Sequence, residues 1–77
     1  MRILIQNVES RKYLAGARKC VAAVRQAKDF AAPVLAFEVG KNLIAGKFRV
    51  VLHFPESGQM VDFMEGTGKS VGFATAC

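Results

Sequence analysis

Acidic residues, histidine and cysteine are all scarce in this 77-residue chain. The two cysteines, Cys20 and Cys77, form no CxxC pair and have no neighbouring histidine, which leaves too few ligands for a structural zinc. They are also too few for a disulfide scaffold. Two free thiols are expected, with Cys20 half-buried as a small hydrophobe. No apolar run approaches the roughly 18 residues needed to cross a bilayer. The opening stretch, Met1 to Asn7, is too short for a signal peptide and has no small-residue cleavage pattern after it. A cytoplasmic protein without a membrane partner is therefore expected.

What is present is an apolar chain with an excess of bases. Hydrophobic residues make up 52% and charged residues 22%, which excludes disorder. The length suits one domain, residues 1–77, of modest stability. Eleven Lys and Arg against six Asp and Glu give a formal charge of +5. Residues 1–30 alone balance to +5, through Arg2, Arg11, Lys12, Arg18, Lys19, Arg25 and Lys28 against Glu9 and Asp29. Residues 51–77 balance to −2, with Lys69 against Glu56, Asp62 and Glu65. The basic excess is thus local.

Alternation marks the strands. Ile3, Leu4 and Ile5 read as a buried strand ended by Asn7. In 48–54, Phe48, Val50, Leu52 and Phe54 share one face while Arg49, Val51 and His53 share the other. Pro55-Glu56-Ser57-Gly58 is turn chemistry, and Gln59 to Met64 returns as a hairpin strand. In it Met60, Asp62 and Met64 fall on one face and Val61 and Phe63 on the other. Gly66-Thr67-Gly68 is expected to end that strand, with a loose tail from about residue 67. The best helix runs from Pro33 to Ile44, with Pro in its first turn and Ala45-Gly46 as a stop. Gly40 inside it costs about 1 kcal/mol relative to Ala.

Residues 10–28 admit two readings. As an amphipathic helix, Ser10 is a candidate N-cap, with Leu14, Ala17, Val21 and Val24 at helical spacing. As strands, Lys12–Leu14 and about Val21–Lys28 are joined by a turn at Ala15-Gly16-Ala17-Arg18, where Gly16 is at home. Tyr13-Leu14, Cys20-Val21, Ala27-Lys28-Asp29-Phe30 and Ala36 together resemble a pattern in short uncharacterised bacterial proteins. In those a tryptophan often stands where this chain has Cys20. The resemblance covers about residues 1–54; it implies a strand–strand–strand–helix–strand order and carries no activity.

Few residues suggest chemistry. Gly66-Thr67-Gly68-Lys69-Ser70 ends like a P-loop, but Phe63 stands where the first glycine belongs, and too little chain follows for the helix that receives phosphate. His53, Ser57 and Asp62 can be drawn as a triad, yet no GxSxG elbow marks Ser57. Glu56, Asp62 and Glu65 are too dispersed for a metal site. No catalytic, cofactor-binding or metal-binding residue is assigned.

The expected fold is α+β: one small sheet of four to five short strands, packed on one main helix at about 32–45. Its core would draw on Ile3, Ile5, Leu14, Val21, Phe30, Leu35, Val39, Leu43, Phe48, Val50, Leu52 and Phe54. The expected function is a small non-enzymatic binding or protein-interaction module, whose partner is another protein or, through an exposed sheet edge, a second copy of the chain. The alternative is nucleic-acid binding through Arg11, Lys12, Arg18, Lys19, Arg25 and Lys28, which together with Arg2 make seven N-terminal bases, enough for a phosphate-neutralising patch.

Overall fold

The 48–54 alternation organises the molecule. In a computed structural model, which describes residues 1–16 and 19–69, these residues belong to a ten-residue strand next to the central strand of a five-stranded antiparallel sheet. The elements in chain order are β1 (Arg2–Asn7), β2 (Tyr13–Gly16), β3 (Lys19–Val21), a 3-10 turn (Val24–Gln26), α1 (Pro33–Leu43), β4 (Ala45–Phe54) and β5 (Gln59–Lys69). Their spatial order is β3-β2-β1-β4-β5. The fold is α+β, as the sequence predicts, and residues 10–28 take the two-strand form. The second strand lies earlier than expected: it is Lys19–Val21 and not about Val21–Lys28. Ala15 and Gly16 belong to β2 and not to the turn, and the segment from Ala22 to Lys28 holds the 3-10 turn and irregular chain.

The sheet carries a core on each face. Ile3 and Ile5 pair with Leu52 and Val50 and turn with Phe48 toward α1, where they meet Leu14, Phe30, Ala36 and Ile44. Leu4 pairs with Val51 on the opposite face, where both are fully buried beneath Tyr13, Ala27, Val21 and Val24. Of this second face the expected core holds only Val21, and it lacks Leu4, Tyr13, Ala27 and Val51. It also includes Leu35, which is 54% exposed. The burial of Ile3, Leu4 and Ile5 as an unbroken run follows from having apolar partners on both sides.

Glycines set the distance between α1 and the sheet. A Cβ on Gly40 would stand 2.5 Å from the Phe48 ring, and one on Gly68 would overlap the carbonyl oxygen of Ile44. The helix penalty of Gly40 is thus exchanged for close approach to β4. Gly66 and Gly68 do not end the hairpin strand, because β5 continues to Lys69 beneath the end of α1. The remainder of the expected loose tail, residues 70–77, lies outside the described residues. A one-residue register shift between Val50 and Val51 leaves Phe63 as the extra residue in β5. It rotates Met64 to the α1 face, opposite Val50, so Met64 does not share a face with Met60 and Asp62 as alternation predicts.

β1 and β2 meet at one pair, Gln6 with Tyr13, and then diverge. The segment Lys28-Asp29-Phe30 fills the opening. The Lys28 amide donates to Leu14 O at 3.1 Å, and the Phe30 amide to Ile3 O at 2.9 Å. The Asp29 carboxylate accepts from the Ile3 and Ala31 amides at 3.0 and 2.9 Å. Ala27 belongs to one core and Phe30 to the other, so the chain crosses its own sheet here. The Arg2 guanidinium secures the approach, donating to the carbonyls of Val24 and Ala27.

Candidate functional site

The sequence-predicted basic residues that are described, Arg11, Lys12, Lys19, Arg25 and Lys28, occupy the β2–β3 third of the molecule without converging on one groove. Arg11 and Lys12 lie in the β1–β2 turn, which Asn7 organises by accepting the Glu9 and Ser10 amides on its side chain. Lys19 opens β3 opposite Gly16, at the far end of the short hairpin. Arg25 is on the 3-10 turn over the Leu4–Val51 face. Lys28 is on the α1 side, its ammonium 5.7 Å from the Phe30 ring centroid. Arg18 lies outside the described residues. Arg11, Lys12, Lys19, Arg25 and Lys28 are all exposed, and none forms an ion pair among the described residues.

The opposite edge is different in character. β5 closes the sheet with eleven residues whose outer side has no strand beside it among the described residues. Met60, Val61 and Phe63 are exposed along it, Phe63 at 51%. Its two acids are occupied: the Arg49 guanidinium lies 3.2 Å from Asp62 and 3.5 Å from Glu65. Beside them the Tyr13 ring crosses the Leu4–Val51 face, with its hydroxyl 3.9 Å from the Met60 sulfur. Burial raises the Tyr13 pKa, and the nearby Asp62 charge raises it further.

His53, Ser57 and Asp62 do not assemble. His53 pairs with Met60, Asp62 is held by Arg49, and Ser57 Oγ accepts the Gln59 amide within the turn. Gly66, Thr67, Gly68 and Lys69 are strand residues and form no phosphate loop; Ser70 lies outside the described residues. No group of three or more metal-ligating side chains gathers among the described residues. None of their helices is long and apolar enough to cross a membrane. The expectation of free thiols is corrected at Cys20, which is half-buried against the α1-side core but disulfide-bonded. The short Cys-poor sequence carried no spacing signal for that bond.

Sequence reasoning missed two surface features. Val61 and Phe63 were placed by strict alternation, and the register shift that exposes Phe63 has no signature of its own. Leu35 was assigned to the core because it is apolar and helical, although its position is one flank away from Ala36 and Gly40, the buried line of α1. The domain is a five-stranded antiparallel α+β sheet pierced by its own chain. No family model, no curated protein and no solved structure matches it.

Proposed function

We propose that the protein is a small non-enzymatic interaction module that self-associates through β5. The observation that carries this reading is the long outer edge of β5 with exposed Met60, Val61 and Phe63. An unpaired strand offers a row of amides and carbonyls that a second strand satisfies. A second copy related by a two-fold axis presents the same row in return. Clustered acids would oppose that approach, but Arg49 already engages both Asp62 and Glu65, which mutes their repulsion. Light scattering coupled to size exclusion over a wide concentration range tests it. The expected result is a concentration-dependent dimer that Val61→Lys with Phe63→Lys returns to monomer; a wild-type monomer at every concentration refutes it.

The unneutralised bases favour nucleic-acid binding as the second reading. Five exposed cations have no acidic partner among the described residues, which leaves them available to phosphates. Their spread over two faces suits a strand that wraps the β2–β3 edge better than a duplex in a groove. Titration with single- and double-stranded oligonucleotides at low and moderate salt decides it. Binding at low salt that weakens in Lys12→Gln with Lys19→Gln supports the reading, and no binding at low salt removes it.

A further inference from the structure

Beside the point where the chain crosses the sheet, α1 stands off from β2 and leaves a groove of about 300 Å³. One wall is the Leu35, Val39 and Leu43 row of α1, spaced i, i+4, i+8 on a single helix flank. The other wall is Lys28, Asp29, Phe30 and Ala31, and Gly16 of β2 completes the lining. The size is at the lower end of small-ligand sites. Among the described residues nothing closes the apolar surface: Leu35 is 54% exposed and the adjacent Val34 72%.

Three details distinguish this groove from an ordinary packing defect. Gly16 has no positive φ, and a Cβ there would meet nothing within 4 Å, so neither backbone conformation nor packing demands glycine. Its missing side chain keeps the groove open. The Lys28 ammonium is held at the rim over the Phe30 ring, within cation–π range and without a carboxylate partner among the described residues. Among the described lining residues the other charge is Asp29, which is committed through Oδ1 to the Ile3 and Ala31 amides. Among the described residues the groove therefore combines an apolar wall with one cation that has no carboxylate partner.

We propose that this groove binds a small amphiphilic anion, an aliphatic carboxylate whose chain lies along Leu35, Val39 and Leu43 and whose head group meets Lys28. The chain removes exposed leucine and valine surface from water. The carboxylate gives the ammonium a charge-assisted hydrogen bond that the Phe30 ring does not supply. The ligand is a free small molecule, since the groove is short and flanked on the helix by Glu38 and Lys41, an ion pair of 3.8 Å that keeps the adjoining surface polar. This site does not involve β5 and stands or falls independently of self-association.

Amide chemical-shift titration with octanoate tests the proposal, with 1-octanol, octylammonium and phosphatidylglycerol vesicles as parallel arms. Octanoate is expected to shift the amides of Gly16, Lys28 to Ala31, Val39 and Leu43, and to bind more tightly than either the alcohol or the ammonium. Lys28→Gln is expected to weaken octanoate about tenfold, the loss of roughly one charge-assisted hydrogen bond, while leaving octanol unchanged. Gly16→Leu fills the open space and is expected to abolish both, with an unaltered urea midpoint certifying the fold. Absent or scattered shifts, equal octanoate affinity in Lys28→Gln, or octanoate binding retained in a folded Gly16→Leu overturns the assignment. Binding to vesicles in preference to free octanoate overturns it in favour of a membrane surface. Should Gly16→Leu not fold, the exposed Lys28→Gln comparison alone decides.

Discussion

The two sides of β1 are held together by different means. Toward β4 it makes a continuous ladder from Arg2–His53 to Asn7–Phe48, and β4 continues the ladder into β5. Toward β2 it makes one pair, and beyond that pair a crossing segment gives Ile3 one backbone amide and one carboxylate, while the segment's second amide bonds Leu14 of β2. The first side is stabilised by repetition, each pair adding a little and depending on its neighbours. The second depends on a few particular groups, and loss of any one leaves a buried backbone donor or acceptor without its partner. A regular sheet tolerates single changes that a pierced sheet does not.

The comparison breaks most visibly at Phe30, the apolar anchor of the crossing. Phe30→Ala is expected to cost about 3 kcal/mol, read as a lower urea midpoint, and to remove hydrogen-exchange protection at β2 while the β4–β5 ladder retains it. Equal loss on both sides would show that the halves unfold as one unit. On the ladder side, Gly40→Ala gains helix propensity yet drives a methyl group into Phe48. A net loss of about 2 kcal/mol is expected in the same denaturation experiment, and a gain would show that α1 can lift from β4.

Acid sharpens the comparison further. The Asp29 pKa is lowered, first by the Ile3 amide and then by the Ala31 amide, with Arg2 and the amino terminus adding to it. Its folded pKa lies below its unfolded one, so its contribution to stability is present above the ordinary carboxylate range. That contribution is lost as pH falls through the depressed value. Asp29→Asn is expected to flatten that part of the acid limb of a stability–pH profile; an unchanged profile would place the acid sensitivity elsewhere. The smallest effect is expected at Ala31, whose φ of +69° favours glycine and whose position is bridged by Ala32 N to Phe30 O at 2.7 Å. Ala31→Gly should stabilise by about 0.5 kcal/mol in urea melts, since relief of left-handed strain exceeds the added chain entropy.

The ladder side was legible in the sequence and the crossing side was not. Phe48 to Phe54 alternate because β4 has a different environment on each face, and Pro55 to Gly58 mark the turn that follows. Pro33 marks the start of α1. At Tyr13-Leu14 and Ala27-Lys28-Asp29-Phe30 the work of the residues is long-range. Tyr13 and Leu14 serve opposite cores, and Asp29 bonds a residue 26 positions away. Periodicity reports local repetition, and a single crossing has none. The basic residues posed a similar difficulty, since their clustering along the chain does not specify which face each one occupies.

The divided edges of β1 turn one strand into a two-channel recorder of assembly. Ile3 directs its amide and carbonyl to Asp29 and Phe30, so its antiparallel neighbour Leu4 directs its own toward β4. Successive amides therefore time different events: Leu4 the docking of β4, and Ile3 the insertion of the crossing segment. A fully zipped β1–β2 hairpin would shut the passage before residue 28 reached it, so the productive order leaves that seam open until late. In pulsed hydrogen exchange during refolding, Leu4 should be protected before Ile3, a time difference across a single peptide unit. Simultaneous protection would mean that the sheet closes around the segment in one step.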